Sequence, residues 1–479
     1  MANAKYVSTR GEGEPVTFLK AVLEGQAPDG GLFVPVAIPD VADKLESWKE
    51  LPFNTLAFEI IKLYADDIPA DELKKIVDTS YGTFDCPEVV PVKKLKDLDI
   101  LELWHGPTLA FKDVALQFLA NVFQYALKKE DRVLNILGAT SGDTGSAAIH
   151  AIRGKERMKV FIMHPDGKTS PMQRLQMVTV EDENVFNIAI DGSFDDCQKI
   201  MKSTFNELDF KYKYSLGTIN SINFARILAQ ITYYFSAYFQ VASEGQKLNF
   251  SVPTGNFGDV FAGFLAKKMG LPIDKLIVAT NENDILERFF RTGEYKKGAV
   301  EFTISPSMDI QVASNFERYL YYRFDGDSAA VRKALKQFTD DGVTTVPLVD
   351  GVVDPTFLAG RGGTPEVMAS IKKYKEEEDY VLDPHTAVGV YVAERLGLSN
   401  RTVCLATAHP AKFPSSIEEA IGTAATHPSL EKLKGKPEKY EKLGNDQQAV
   451  MAFMSTAIDA ADTKKKVDTE HCTDSCAIL

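Results

Sequence analysis

Apolar residues recur along the chain with two different periods, and the two periods alternate. Phe111, Ala115, Phe118, Val122 and Ala126 are spaced three or four residues apart, which predicts a helix with one buried face. Short runs of apolar and β-branched residues predict strands at 132–137, 160–163, 185–190, 248–252, 276–280 and 402–407. Because such strands alternate with helical segments from about residue 96 onwards, the sequence predicts an α/β fold with doubly wound layers.

Changes in this pattern divide the chain into four predicted segments. Residues 1–95 contain helical stretches and form an additional N-terminal domain. Residues 96–245 and 246–430 each carry strand–loop–helix units, so we expect them to be two α/β domains. Residues 431–479 are rich in charge, and we expect a surface helix or tail there.

One lysine lies where a turn containing glycine and proline meets the first long helix. Residues 105–113 read His-Gly-Pro-Thr-Leu-Ala-Phe-Lys-Asp, so Lys112 follows the turn and lies beside the apolar stripe. An amine that is partly removed from water there favours its neutral, nucleophilic form and is suited to a Schiff base with a carbonyl compound. Most lysines in a first helical turn are solvated charges, so this segment alone leaves both interpretations open.

Two strand–loop–helix units have the composition of anion-binding loops. Residues 138–146 read Gly-Ala-Thr-Ser-Gly-Asp-Thr-Gly-Ser, and residues 253–259 read Pro-Thr-Gly-Asn-Phe-Gly-Asp. The first amides of a helix have no intrahelical acceptors, so such loops suit a carboxylate or a phosphate. Their spacing matches neither a Walker loop, nor a dinucleotide fingerprint, nor a hydrolase elbow. Ordinary βα turns with polar caps remain the alternative.

A third predicted strand ends in Thr407, followed by Ala-His-Pro-Ala-Lys-Phe-Pro at 408–414. A hydroxyl at the carboxyl end of a strand can point into the crevice where open α/β sheets bind ligands. Thr407 could equally cap or close a turn. Each of these signals is modest alone. The lysine, the two glycine loops and the threonine in this order along the chain form a specific pattern.

These segments resemble threonine synthases, which are pyridoxal-phosphate enzymes of the tryptophan-synthase β-subunit fold. The resemblance covers about residues 1–430. Besides the segments above, it includes Lys-Tyr-Val-Ser-Thr-Arg-Gly at 5–11, Asp-Gly-Gly-Leu-Phe-Val-Pro at 29–35, Asn-Ser-Ile-Asn-Phe-Ala-Arg at 220–226 and Ser-Pro-Ser-Met-Asp-Ile at 305–310. It implies two doubly wound α/β domains of that type with an additional N-terminal domain.

The implied activity is that of a pyridoxal-phosphate-dependent carbon–oxygen lyase. O-phospho-L-homoserine and water would give L-threonine and phosphate by γ-elimination and β-hydration, the last step of threonine biosynthesis. Lys112 would bind pyridoxal 5'-phosphate as a Schiff base and then move protons. Thr407 would face the pyridine nitrogen with a hydroxyl, which moderates the electron-withdrawing strength of the ring. The cofactor phosphate would be enclosed by Gly255, Asn256, Phe257, Gly258 and Asp259.

The resemblance also implies a substrate site. The residues that would bind the substrate carboxylate and phosphate are Ser141, Asp143, Thr144, Asn220, Ser221 and Arg226. A planar guanidinium suits a phosphate dianion through paired, charge-assisted hydrogen bonds. Related branches carry Asn where Asp143 stands, and a carboxylate near bound anions needs compensation, so we expect Asp143 to face a backbone amide or a cation.

Two other functions compete with this one. A phospho-lyase would take the same or a similar phosphorylated amino acid but release a keto acid and ammonia. A non-catalytic relative would bind phosphate metabolites as a scaffold, and its expected mark is a lost lysine or broken loops, neither of which the sequence shows.

The composition of the chain argues against some classes of binding partner. The 479 residues hold 54 Lys and Arg against 67 Asp and Glu, a net charge of −13, which argues against nucleic acid or an anionic membrane as partner. A small anionic substrate therefore needs a local positive site. The five cysteines are scattered without metal-ligand spacing, so we expect no metal. The N-terminus has no apolar signal core, so we expect a cytoplasmic location. We expect a monomer or a homodimer. The last four residues, Cys-Ala-Ile-Leu, fit a prenylation box on Cys476, which we hold as a minor hypothesis.

Overall fold

The computed structural model describes residues 4–140 and 142–460. The strands are β1 (Tyr6–Ser8), β2 (Phe33–Pro35), β3 (Val92–Lys94), β4 (Asp99–Glu102), β5 (Leu134–Ala139), β6 (Met158–Pro165), β7 (Val185–Asp191), β8 (Leu216–Gly217), β9 (Leu248–Pro253), β10 (Ile273–Thr280), β11 (Glu294–Lys296), β12 (Val343–Thr345), β13 (Phe357–Arg361), β14 (Thr402–Ala406) and β15 (Glu441–Gly444).

The helices are α1 (Phe18–Glu24), α2 (Leu45–Trp48), α3 (Phe53–Ile61), α4 (Ala70–Tyr81), α5 (Lys112–Lys129), α6 (Asp143–Ile152), α7 (Pro171–Val178), α8 (Phe194–Asn206), α9 (Leu208–Lys213), α10 (Phe224–Val241), α11 (Gly258–Lys268), α12 (Ile285–Thr292), α13 (Phe316–Arg323), α14 (Ser328–Asp341), α15 (Thr364–Glu378), α16 (Pro384–Leu396), α17 (Pro414–Ile421), α18 (Pro428–Glu431) and α19 (447–460). Short 3-10 turns lie at Ala42–Lys44, Pro306–Met308 and Pro410–Lys412.

The chain packs into two compact units, and each unit is built from separated segments. Residues 4–126 and 220–434 form the first unit, and residues 127–140, 142–219 and 435–460 form the second. These units do not follow the predicted boundaries near 95, 245 and 430, because packing groups segments that are distant along the chain. The four-part division remains a prediction about sequence organisation.

The first unit contains a six-stranded sheet in the order β13-β10-β9-β14-β4-β3. All neighbours run parallel except β3, which pairs antiparallel with β4. The predicted strands at 248–252, 276–280 and 402–407 are confirmed as β9, β10 and β14. Cys404 lies fully buried in β14, where α15 and α16 contribute to the same core. Helices on a mostly parallel sheet are the layered α/β arrangement that the alternating pattern predicts.

The second unit contains a five-stranded parallel sheet in the order β15-β7-β6-β5-β8. Its last strand and α19 differ from the surface helix or tail that we expected at the charged end of the chain. β15 pairs with β7, and Val450, Met454 and Ile458 of α19 are buried in the core of this unit. These apolar residues recur at a helical spacing of four, which the surrounding charges obscure in the sequence. Cys472 and Cys476 lie outside the described residues.

Two long helices, α5 and α10, carry the predicted cofactor lysine and the predicted phosphate-binding arginine near their first residues. α5 begins at Lys112, and the apolar stripe predicted for it is confirmed, with Ala115, Phe118 and Val122 fully buried. In α10 most side chains are buried, which accounts for its apolar sequence. Across 4–140 and 142–460, no helix combines the length and hydropathy needed to span a bilayer.

Candidate active site

Three adjacent parallel strands lead into the predicted cofactor segments. β9 is followed by the loop 254–259, β14 by Thr407, and β4 by the turn that precedes Lys112. β14 lies between β9 and β4, so the three segments emerge at one edge of the sheet. The amide of Phe111 donates to the carbonyl of Thr407 at 2.8 Å and joins two of them directly. Ligands of open α/β sheets bind at such an edge.

Lys112 is the first residue of α5 and is 9% exposed. Its Nζ donates a hydrogen bond to Oγ of Ser307 at 3.3 Å and lies 5.6 Å from the ring centre of Phe111. Three residues earlier, Leu109 adopts a positive φ of 59°, a conformation that is unfavourable for a branched side chain. Strained backbone of this kind persists where surrounding contacts fix it, and it is frequent at functional sites.

A buried carboxyl and a buried lysine fix the turn before Lys112 through contacts with Thr108. Asp113 accepts hydrogen bonds from the amide and the hydroxyl of Thr108, at 2.8 and 2.7 Å. The Nζ of Lys412, also fully buried, donates to the carbonyl of Thr108 at 2.6 Å. Burial raises the pKa of Asp113 to about 6, against the opposing effect of the Thr108 hydrogen bonds and the Lys412 charge. These contacts hold the lysine segment against the segment that follows β14.

Side-chain and backbone contacts fix the loop 254–259, whose last residues begin α11. Phe257 has a φ of 64°, and its ring, 1% exposed, stacks on Phe290 at 5.9 Å between centroids. A Cβ on Gly255 would lie 2.7 Å from the carbonyl oxygen of Ser307, so only glycine fits there. The carbonyl of Asn256 accepts from the amide of Asn315 at 3.0 Å. The first amides of α11 lack intrahelical acceptors and suit a phosphate.

Asp259 accepts two tyrosine hydrogen bonds. Its Oδ1 accepts from the hydroxyls of Tyr233 and Tyr234 of α10, at 2.5 and 2.9 Å. Burial raises the pKa of this carboxyl to about 7, although the two tyrosine hydrogen bonds oppose the shift. The predicted direct contact of Asp259 with the cofactor stays a prediction, and the observed contacts give its side chain a role in joining α11 to α10.

Arg226 is a buried cation in the first turn of α10. The residue is 4% exposed, and no acceptor among the described residues lies within hydrogen-bond distance of its Nε or Nη1. Burial lowers the pKa of the guanidinium to about 10, which still leaves it charged at neutral pH. The next residue, Ile227, comes within 3.4 Å of the position that a Cβ on Gly258 would take. Arg226 therefore belongs to a turn that packs against the glycine loop.

The two other predicted phosphate ligands lie just before α10. The hydroxyls of Ser221 and Ser314 are 2.7 Å apart, and Oδ1 of Asn220 accepts from the amide of Ile222 at 3.2 Å. The side chain of Asn315 donates to the carbonyl of Ser221 at 3.1 Å as well as to that of Asn256 at 3.2 Å. One asparagine thus ties the segment 220–222 to the loop 254–259.

The remaining predicted substrate residues belong to the second unit. Ser141 lies outside the described residues. Asp143 opens α6, and its Oδ1 accepts from the side-chain amide of Gln173 at 2.7 Å. A contact of this carboxylate with a backbone amide or a cation stays a prediction. Thr144 follows in the same first helical turn. The hydroxyl of Thr140 accepts from the amides of Gly142 and Gly145, both at 3.0 Å, and so shapes this loop locally.

Sequence reasoning missed the residues that hold the site together. The hydroxyl of Ser307 accepts from Lys112, and its carbonyl oxygen lies close to Gly255. Asn315 joins the segment 220–222 to the loop 254–259. Ser307 lies in one of the segments that carry the family resemblance, which was the available signal. For Asn315 the sequence offered no such signal, because its side chain donates to backbone carbonyls of segments that are distant along the chain.

A buried primary amine, a glycine loop opening a helix and a buried guanidinium whose Nε and Nη1 have no acceptor among the described residues fit a phosphorylated aldehyde cofactor and an anionic substrate. In agreement, a family model described as pyridoxal-phosphate dependent enzyme matches residues 100–408, more than half of the chain. The fold and this match define the class as the pyridoxal-phosphate-dependent enzymes.

Comparisons with further family models, relatives and solved structures identify the family within this class. Models described as threonine synthase N terminus and threonine synthase, C-terminal match residues 5–81 and 386–454. Threonine synthase of Schizosaccharomyces pombe is 46% identical over 463 residues, covering 88% of this chain and 90% of that protein. The crystal structure of pyridoxal-phosphate-bound threonine synthase from Brucella melitensis has a TM-score of 0.92 at 41% identity, covering 95% and 99% of the two chains. The crystal structure of threonine synthase from yeast has a TM-score of 0.90 at 40% identity, covering 96% of this chain and 100% of that chain. The chain belongs to the threonine synthase family.

Proposed function

We propose that this member of the threonine synthase family converts O-phospho-L-homoserine and water to L-threonine and phosphate, with Lys112 as the residue that binds pyridoxal 5'-phosphate. The observation that carries the assignment is the double role of Ser307. Its hydroxyl accepts from Nζ of Lys112 at 3.3 Å, and its carbonyl oxygen would be 2.7 Å from a Cβ on Gly255. An amine and an anion-binding loop that meet at one residue suit a cofactor with an aldehyde and a phosphate.

When bound, pyridoxal phosphate supplies a ring that withdraws electrons from the substrate carbon bearing the amino group. Lys112 attaches the cofactor through its ε-amine and, once substrate replaces it, takes the proton from the α-carbon. The amides of residues 255–259 hold the cofactor phosphate at the start of α11. Thr407 offers a hydroxyl, and no carboxylate, at the end of the central strand.

Arg226 holds the substrate phosphate in this proposal. Two of its nitrogens, Nε and Nη1, have no acceptor among the described residues, so the buried guanidinium attracts a dianion strongly, because little water has to be displaced when the anion binds. Ser221 and Asn220 supply further polar groups beside α10. After the phosphate leaves the γ-carbon, Arg226 retains it while a water oxygen adds to the β-carbon. The part played by Ser141, Asp143 and Thr144 in binding the substrate carboxylate stays a prediction.

The first experiment asks which lysine carries the cofactor. Purified protein is incubated with pyridoxal phosphate, reduced with sodium borohydride, digested and examined by mass spectrometry for a phosphopyridoxyl group. We expect the group on Lys112 and its loss in Lys112→Ala. Lys128→Ala is the matched control, since Lys128 is an exposed residue near the other end of α5. Labelling elsewhere with Lys112 unlabelled would contradict the assignment.

The second experiment distinguishes the reaction from that of a phospho-lyase. With O-phospho-L-homoserine as substrate, threonine and phosphate should form in equal amounts. A phospho-lyase would instead release phosphate together with a keto acid and ammonia. Chromatography of the products with parallel assays of phosphate and ammonia therefore decides between them. We further propose a cytoplasmic location and a monomer or homodimer, which fractionation and sedimentation would test.

A further inference from the structure

A chain of buried polar contacts leads from α16 to the amine of Lys112. Asp383 precedes α16, and its Oδ1 lies 2.9 Å from Nδ1 of His385. Nε2 of the same ring lies 3.2 Å from the backbone nitrogen of Ser307. The hydroxyl of Ser307 in turn accepts from Nζ of Lys112 at 3.3 Å. Four residues from three separate segments of the chain thus form one connected path.

The chemistry of the donors fixes the tautomer of His385. A backbone N–H can only donate, so Nε2 must accept from Ser307 and carries no hydrogen. Nδ1 therefore carries the hydrogen and donates it to the carboxylate of Asp383. Asp383 also caps α16 by accepting from the amides of His385 and Thr386. Capping explains the aspartate alone, but it does not explain an imidazole that connects the helix to a turn in another part of the unit.

The path is buried and is supported from both sides. His385 and Asp383 are 2% and 1% exposed, and the ring of Phe413 lies 4.9 Å from the imidazole between centroids. Across the turn at Pro306–Met308, Nδ2 of Asn281 donates to Oγ of Ser305 at 2.9 Å and to Oδ1 of Asp309 at 2.7 Å. The turn is therefore held at Ser307 by the histidine and at its two flanks by the asparagine.

We propose that His385 and Asp383 are positioning residues, which fix Ser307 so that its hydroxyl accepts from Nζ and sets the orientation of the Lys112 amine. When one N–H of the Lys112 amine donates to Ser307, rotation about the bond from Cε to Nζ is restricted, and the direction of the nitrogen lone pair is fixed. That orientation is needed both for attachment of the cofactor and for proton transfer at the α-carbon. The inference rests on the proposed role of Lys112 and adds three residues that act through it.

Two histidine variants separate positioning from simple loss of a side chain. His385→Gln keeps an acceptor at about the reach of Nε2 and can still accept from the amide of Ser307, whereas His385→Asn is shorter and keeps only a donor near Asp383. Ser307→Ala removes the hydroxyl and leaves the backbone of the turn. The control is Ser251→Ala, which deletes a buried hydrogen bond of 2.7 Å from β9 to the carbonyl of Gly389 in α16.

The main readout is the rate at which cofactor-free protein, given pyridoxal phosphate, acquires a borohydride-reducible group on Lys112. We expect His385→Asn and Ser307→Ala to slow this rate about tenfold or more and to lower kcat by a similar factor, with KM changed by less than about threefold. His385→Gln should recover most of the rate. Ser251→Ala should lower the unfolding midpoint and leave the labelling rate as in the parent protein.

A double variant completes the test. If His385 acts through the Ser307 hydroxyl, then Ser307→Ala combined with His385→Asn should be no slower than the slower single variant. Labelling of His385→Asn and Ser307→Ala at the parent rate, or equal slowing by Ser251→Ala, would overturn the inference. Failure of the parent protein to label on Lys112 would instead overturn the proposed function itself, so the two failures are distinguishable.

Discussion

Two arginines of the first unit are buried to nearly the same degree but differ in their partners. Arg318 of α13 is fully buried and donates to the carbonyls of Phe33 and Ile222, at 3.0 and 2.6 Å, and to the side chain of Asn315. Arg226 of α10 is 4% exposed, and its Nε and Nη1 have no acceptor among the described residues. Burial lowers the pKa of both, to about 9 for Arg318 and about 10 for Arg226.

We interpret this difference as that between a structural cation and a proposed binding cation. Taking a charge out of water costs several kcal/mol unless other groups replace its hydration. Arg318 recovers this cost within the folded chain, since its three nitrogens donate to three different segments. At Arg226, Nε and Nη1 have no such acceptor among the described residues, so an anionic ligand would stabilise the folded state. We therefore interpret these unsatisfied donors as the mark of a binding site, and the following predictions test that interpretation.

The largest expected effect is the loss of activity in Arg226→Met. Without the guanidinium the substrate phosphate loses paired, charge-assisted hydrogen bonds, and kcat/KM should fall about a thousandfold, equivalent to about 4 kcal/mol. The free energy of unfolding without ligand should stay the same or rise, because an unpaired buried charge has been replaced by a methionine of similar length. Steady-state kinetics and denaturant titration measure the two quantities.

Added phosphate provides the control for this variant. Inorganic phosphate should raise the unfolding temperature of the parent protein and have a smaller effect on Arg226→Met, since a ligand stabilises only the state that binds it. Full activity in Arg226→Met, or a strong loss of stability, would mean that this arginine is structural like Arg318.

The opposite result is expected for Arg318→Met. Removing this side chain leaves the carbonyls of Phe33 and Ile222 and the amide oxygen of Asn315 without their donor. At about 1 kcal/mol or more for each buried acceptor, the free energy of unfolding should fall by about 3 kcal/mol. Denaturant titration with an unchanged m-value would check this. An unchanged stability in Arg318→Met would remove the distinction between the two residues.

The sequence predicted the elements that present the site, because their signals are local. The apolar period of α5 located the start of the helix at Lys112, and the glycine loop at 254–259 was visible as a break between a strand and a helix. Arg226 came from the resemblance of the segment 220–226 to a family. In each case the information lies within about a dozen adjacent residues.

The supporting contacts could not be predicted because they join distant segments. His385 and Ser307 are 78 residues apart, and no local pattern in the sequence connects them. Nor does the sequence distinguish Arg226 from Arg318, since whether a guanidinium finds acceptors depends on carbonyls of other segments. The burial of Val450 and Met454 in α19 was missed for a related reason, since their partners lie across the sheet of the second unit.

The same comparison extends to two buried carboxyls, where the expected effect is smaller. Asp113 receives donors on both oxygens, whereas Asp259 receives both tyrosine hydroxyls on Oδ1 and has no partner on Oδ2 among the described residues. Because burial raises the pKa of Asp259 to about 7, the folded protein retains a proton that the unfolded chain releases near pH 4. Stability from this group is therefore present at low pH and is lost as pH rises from about 4 to 7.

Asp259→Asn copies the protonated carboxyl, with the amide nitrogen in place of the unpartnered oxygen. The variant should lie closest to the parent protein near pH 4 and exceed it by a growing margin in the free energy of unfolding as the pH rises to 8, because it has no carboxyl to ionise. Asp113→Asn is the contrasting control, since an amide nitrogen there would face a donor of Thr108 and should destabilise at every pH. Thermal unfolding across this pH range measures both, and a pH-independent difference for Asp259→Asn would show that this carboxyl stays charged in the fold.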